Sequence, residues 1–138
     1  MNPTTAPSGL APWLQPALQR LWQLHQADHL PHALLLCGPE GVGKQALTDA
    51  LAAALLCQAP QADGRGCGTC TACQQLAAGF HADYWQVTPE EGARVIAVDA
   101  VRRLCEHSGL SRHGHSRRVV CIAPAEGLNV AAANALLK

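Results

Sequence analysis

The stretch ALLLCGPEGVGKQALTDALAAALLC, from Ala33 to Cys57, decides the fold that the sequence predicts. Its first five residues, Ala33 to Cys37, form an apolar run of strand length, which predicts a central parallel strand covered on both faces. A glycine-rich loop follows, and the rest of the stretch has the apolar stripe of a helix, formed by Leu47, Leu51, Ala54 and Leu55. Strand, loop and helix in this order predict an α/β fold of the P-loop type, with helices flanking a parallel sheet.

The loop is a candidate nucleotide site. Residues 38–44, GPEGVGK, match seven of the eight Walker A positions, whose backbone N–H groups converge on phosphate oxygens. The eighth position normally has a Ser or Thr hydroxyl that holds magnesium, and here it is Gln45, whose amide is a poorer and differently placed ligand. Two alternatives therefore stay open: the loop binds ATP, or it is a turn that joins strand and helix. The candidate residues are Gly38, Gly41, Gly43, Lys44 and Gln45.

Four cysteines predict a metal site. Cys67, Cys70 and Cys73 are spaced C-x2-C-x2-C, and Cys57 precedes them by ten residues at the end of the helix. Four thiolates can close a tetrahedron around a structural zinc ion. An iron–sulfur cluster is the competing hypothesis, but the ferredoxin run continues with a fourth cysteine followed by proline, and residues 74–80 contain neither. A third possibility is that Cys57 is a core residue and the others are incidental.

Composition limits the class of protein. The 138 residues are 49% hydrophobic, which is enough for a real core, and ten basic residues balance ten acidic ones. This neutrality argues against a domain that wraps nucleic acid by charge alone. No run approaches the length of a membrane span and no signal-peptide pattern opens the chain, so the sequence predicts a cytoplasmic protein without membrane contact. Reduced cysteines in that compartment favour metal over disulfides.

Further elements follow from periodicity. Residues 1–9 predict a flexible tail, and residues 10–138 one partial domain that contains the zinc insertion at residues 57–73. Helical spacing begins at Trp13, and Asp99 is expected to be the N-cap of a later helix. Strands are expected at residues 83–88 and 119–123.

Two regions near the end of the chain carry further expectations. The link SGLSRHGHSRR, residues 108–118, is basic enough to touch phosphates or a partner, although a solvated loop is the simpler interpretation. The last residues, AAANALLK, form a helical pattern with no stop signal, so the sequence is expected to be part of a longer chain.

Several short motifs together resemble the AAA+ clamp-loader subunits of bacterial DNA polymerase III. They are LPHALLL before the loop, the four cysteines, HADYW at residues 81–85, VDAVR at residues 98–102 and AANALLK at the end. The degenerate loop favours the delta-prime branch over the gamma/tau motor subunits. Motor subunits have adjacent Asp and Glu after the third strand, where this chain has Pro124 and Ala125, with Glu126 one place too late.

The resemblance implies a non-hydrolysing scaffold role in DNA replication. Such a subunit assembles with gamma/tau and delta subunits in a hetero-pentamer that places a sliding clamp on primed DNA. No catalysis is expected from the subunit itself, and no residue here matches the family's arginine finger. Two alternatives remain: an active P-loop ATPase that uses Glu126 or another carboxylate, and a zinc-stabilised interaction module with a vestigial loop.

Overall fold

The computed structural model describes residues 10–109 and 117–137, which fall into two compact units, Met1–His81 and Ala82–Lys138. The predicted tail at residues 1–9 and the central part of the basic link, residues 110–116, lie outside the described residues. No helix in the described part of the chain is long and apolar enough to cross a membrane.

The first unit is helical. A short 3-10 turn, Pro12–Leu14, leads into α1 (Gln15–Gln26), and α2 (Lys44–Leu56) and α3 (Thr71–Ala78) follow. Helices α1 and α2 pack against each other because each buries one apolar stripe. The predicted stripe of α2 is confirmed at three of its four positions, and the fourth, Leu55, is half-buried. The core of this unit consists of Leu18, Leu47, Ala50 and Leu51.

The strand predicted at Ala33–Cys37 is wrong for this structure. These residues form no strand, and Leu35 has 73% of its surface exposed. A strand is held by hydrogen bonds to a neighbouring strand, and in the described part of the first unit no other segment is a strand. The apolar run has the composition of a strand, but composition does not supply the partner that makes it a strand.

The second unit contains the parallel sheet. Strands β1 (Tyr84–Val87) and β2 (Val119–Ile122) pair in parallel, with Tyr84 opposite Val119 and Val87 opposite Ile122. Helix α4 (Val98–Gly109) lies between them in the chain, as a parallel connection requires. A 3-10 turn (Ala125–Gly127) and α5 (Val130–Leu137) follow β2. The predicted α/β class with a small parallel sheet is confirmed.

The core of the second unit joins α4 and α5 to β1. It consists of Val87, Ile96, Val101, Leu104 and Ala132. One expectation is corrected here: α4 begins at Val98, so Asp99 lies inside its first turn and is not the N-cap. Its carboxylate accepts a hydrogen bond from Arg102 at 3.4 Å, and an acidic group in the first turn still stabilises the helix dipole.

Candidate metal centre and glycine-rich loop

Local structure brings the four predicted metal ligands together. Cys57 ends α2, where its extended backbone turns the chain away from the helix, and Cys70 is the N-cap of α3. Cys73 lies in the first turn of α3 and is buried, and Cys67 lies in the loop that precedes the helix. Two helix ends and one short loop therefore converge on a single point of the first unit.

The distances fit a single metal ion. All four Sγ atoms lie within 4.8 Å of one another, and Cys57 Sγ and Cys70 Sγ are 3.8 Å apart. Four sulfurs bound at about 2.3 Å around a tetrahedral zinc ion lie about 3.8 Å apart. An iron–sulfur cluster places several atoms between its thiolates and would hold them further apart. The spacing and the all-sulfur donor set therefore fit one zinc-sized ion.

Backbone N–H groups already point at the sulfurs. Cys57 Sγ accepts hydrogen bonds from the N–H groups of Cys67, at 3.2 Å, and Ala59, at 3.4 Å. Cys67 Sγ accepts one from Cys70 at 3.3 Å, and Cys70 Sγ one from Cys73 at 3.4 Å. Hydrogen bonds from neutral donors stabilise negative charge on sulfur, so the turn geometry offsets part of the cost of ionising these thiols.

The thiols titrate differently because their surroundings differ. Hydrogen bonds from Thr69 and Cys70 to the half-buried Cys67 thiol lower its pKa to about 6. Burial raises the pKa of Cys73 to about 12 and also raises that of Cys57. A divalent cation would supply the charge that lets all four thiolates exist together, and its binding would release the remaining protons.

The glycine-rich loop forms one tight turn before α2. Gly41 and Gly43 have φ angles of +80° and +104°, which glycine adopts without steric cost. Lys44 Nζ donates to the Gly38 carbonyl at 2.6 Å, so the lysine folds back over the turn. The predicted loop residues are thus neighbours in space, and nucleotide binding by them stays a prediction.

Gln45 lies in the first turn of α2, where its Nε2 donates to Asp49 Oδ1 at 2.9 Å. The pair lies one helical turn apart on an exposed face, the spacing at which helix side chains meet. The amide that replaces the usual hydroxyl is therefore directed along the helix toward Asp49.

Sequence reasoning missed two contacts that fix the loop. Trp13 Nε1 donates to the Val42 carbonyl at 2.9 Å, across 29 residues of chain. Leu14 packs against Gly43 so closely that a Cβ on Gly43 would lie 2.6 Å from Leu14 Cδ1. Periodicity identified both residues only as the start of a helix, and nothing in the local sequence signals their contact with the loop.

Comparison with known proteins shows the family to which this chain is related. The sequence model of the family described as DNA polymerase III, delta subunit, matches residues 13–138. The chain belongs to this family. The DNA polymerase III delta′ subunit of Pseudomonas aeruginosa is 50% identical over 126 residues, which cover 91% of the chain and 38% of that protein. The Escherichia coli K12 delta′ subunit is 43% identical over 129 residues, covering 92% of the chain and 38% of that protein.

A third relative, the delta′ subunit of Haemophilus influenzae, is 37% identical over 131 residues, covering 95% of the chain and 39% of that protein. The chain thus spans less than two-fifths of the length of the delta′ subunits described here. The resemblance to the DNA polymerase III clamp-loader subunits that the motifs indicated is confirmed at the level of the family.

A second feature of interest is the short segment that follows β2. Ala123 and Pro124 follow the strand, Ala125 starts the 3-10 turn, and none of the three has a side-chain oxygen for a metal or a water. Glu126 is exposed within that turn. Its neighbour Gly127 is buried, and the Gly127 carbonyl accepts from the Ile96 N–H at 2.7 Å.

Replacing Gly43 with alanine is expected to destabilise the first unit. The new Cβ must occupy a φ of +104° and displace Leu14, which is buried and has little room to move. Left-handed backbone strain costs about 1–2 kcal/mol and overpacking about 1–3 kcal/mol, so the free energy of unfolding should fall by about 2–5 kcal/mol. Urea unfolding of the full-length protein, followed by circular dichroism, measures the change.

Gly41→Ala is the matched control for this prediction. Gly41 also has a left-handed φ of +80°, but a Cβ there meets nothing within 4 Å. It should lose only the backbone component, about 1–2 kcal/mol. Equal losses in the two variants would show that the contact between Leu14 and Gly43 does not constrain the loop.

Proposed function

We propose that the protein is a non-hydrolysing subunit of the replicative clamp loader, which places a ring-shaped sliding clamp on primed DNA. The observation that carries this proposal is the similarity to delta′ subunits over about nine-tenths of the chain. In this role the subunit is a stationary scaffold within a cytoplasmic hetero-pentamer of gamma/tau and delta subunits. Its core is an AAA+ P-loop domain.

The loop and the end of β2 support the non-hydrolysing part of the proposal. Phosphoryl transfer needs a metal that bridges the phosphates and a carboxylate that orients the attacking water. Gln45 stands where the magnesium-binding hydroxyl is expected, and its amide donates to Asp49. Pro124 and Ala125 stand where the family's motor subunits have their two acids. Nucleotide hydrolysis is therefore not expected of this subunit, and we propose that its role does not depend on nucleotide binding either.

We propose further that Cys57, Cys67, Cys70 and Cys73 hold one structural zinc ion. Four protein ligands leave no open position for a substrate or a water, so such a site stabilises structure and does no chemistry. The insertion is short and its loop has little core of its own, because among its residues only Gly64, Ala72 and Cys73 are buried. The ion would supply the cross-link that packing does not.

Co-elution with purified motor and delta subunits tests the assembly. The full-length protein is expected to join them in one complex on size-exclusion chromatography, and Lys44→Ala should join equally well because the loop is not used. Failure of the wild-type protein to co-elute would contradict the proposal. Loss of assembly in Cys70→Ser alone, with the rest of the protein still folded, would instead favour a zinc-stabilised interaction module.

A further inference from the structure

The turn that leads into the metal centre rests on a tryptophan of α1. Residues 61–65 form this turn, in which Gln61 N–H donates to the Arg65 carbonyl at 2.8 Å and Gly64 N–H to the Gln61 carbonyl at 3.1 Å. A Cβ on Gly64 would lie 2.7 Å from Trp22 Cβ and 2.8 Å from Trp22 Cγ. The Gly64 backbone therefore sits directly against the base of the indole, where no larger residue fits.

The same turn continues into the metal ligands within two residues. A Cβ on Gly66 would lie 3.2 Å from Cys73 Sγ and 3.4 Å from Ala53 Cβ, so Gly66 is wedged between the cluster and α2. The next residue, Cys67, donates its N–H to Cys57 Sγ. The contact between the turn and Trp22 thus determines the position of Cys67 relative to the other three cysteines.

Trp22 is not held in place by polar contacts of its own. It is 5% exposed, and its Nε1 is buried without a hydrogen-bond partner in the described part of the chain. A cavity of about 280 Å³ lies beside it, lined by Gln19, Trp22, Gln23, Ala62 and Asp63. Burying an indole N–H without a partner is unfavourable, so polar contacts of the Trp22 side chain do not anchor the turn. The turn therefore needs a further attachment. The metal centre follows the turn in the chain, because Cys67 lies two residues after Arg65.

We propose that Trp22 is a positioning residue for the metal centre. Its indole supports the turn at residues 61–65, and the bound ion in return keeps the turn packed against the indole. Coupling between two sites is reciprocal. If the contact between the turn and Trp22 strengthens metal binding, metal binding must strengthen that contact as well. The inference concerns the metal centre and is independent of any role in clamp loading.

The first test measures zinc affinity of the full-length protein by competition with a chromophoric chelator. Trp22→Ala is expected to weaken binding by about ten- to hundred-fold, the range typical of residues that support metal ligands. Trp22→Phe keeps the Cβ, Cγ and Cδ1 positions that Gly64 contacts and should bind as wild type does. Phe80→Ala removes an aromatic ring that is 67% exposed and should also leave the affinity unchanged.

A second variant, Gly64→Ala, tests the proposal even if Trp22→Ala fails to fold. Gly64→Ala keeps the indole and all four cysteines but forces the turn away from Trp22, so it should weaken zinc binding in the same range. Gly92→Ala is its control, because Gly92 has a similar φ of +79° with nothing within 4 Å of its Cβ position. Wild-type affinity in Gly64→Ala, or in a folded Trp22→Ala, would overturn the proposal.

The effect of the metal on the packing of the turn against Trp22 is measured without any change to the metal ligands. In protein labelled with 5-fluorotryptophan, loss of one ¹⁹F resonance in Trp22→Phe assigns the Trp22 signal. Removing zinc with a chelator is expected to expose this signal to broadening by a soluble gadolinium complex, while zinc restores its protection. A Trp22 signal equally protected with and without zinc, or wild-type protein that binds no zinc, would contradict the proposal.

Discussion

Replacing Cys70 with serine is expected to release the metal and disorder the insertion at residues 57–73. Cys70 contributes one of four sulfurs, and its side chain also caps α3 by accepting the Cys73 N–H. Structural zinc supplies on the order of 10 kcal/mol of apparent free energy in small peptides, far more than one hydrogen bond or cap. The unit built from β1, β2, α4 and α5 has its own apolar core and should keep its secondary structure.

Elemental analysis of protein purified without chelator, together with circular dichroism, measures both parts of this prediction. The wild-type protein should contain one zinc ion per chain and the variant should contain none. Cys37→Ser is the control, because Cys37 is exposed and outside the cluster. Iron in place of zinc, or substoichiometric metal in the wild type, would contradict the assignment. Loss of all secondary structure in Cys70→Ser would contradict the independence of the second unit.

The full-length protein is expected to hydrolyse no ATP above background, either alone or with magnesium in excess. Gln45 lacks the hydroxyl that holds the metal, and Pro124 and Ala125 lack the two carboxylates of a working site. Positioning and electrostatics provide nearly all of the catalysis in phosphoryl transfer, so these losses remove it. Steady-state phosphate release measures the rate.

The variant Gln45→Thr sharpens this test. It restores the hydroxyl at the position that follows Lys44 and removes the hydrogen bond to Asp49, but it does not supply the missing acids. Turnover should stay at background in this variant as in the wild type. Phosphate release by the wild-type protein that Lys44→Ala abolishes would instead support the ATPase alternative.

The sequence predicted the cysteine cluster and most helices because their signals are local. A C-x2-C-x2-C spacing confines three sulfurs to a few residues. The periodicity of apolar residues in α2 and α4 indicates which face of each helix is buried. The two strands of the sheet were also located to within two residues at each end, because each is a short apolar run between turn signals.

The failures concern contacts between residues far apart in the chain. The run at Ala33–Cys37 has strand composition, but strand formation depends on a partner that a local pattern cannot supply. In the same way, Trp13 reaches Val42 and Gly64 reaches Trp22 across 29 and 42 residues. Each of these contacts lies at or next to a glycine at positive φ, a backbone conformation that only the structure reveals.

The most direct test of the proposed role is clamp loading by a reconstituted loader in which only this subunit carries Lys44→Ala. The account predicts that the variant assembles and loads clamps onto primed DNA at the wild-type rate, because the subunit contributes position and not nucleotide chemistry. A loader that assembles normally but loses clamp loading through Lys44→Ala in this subunit would contradict that claim.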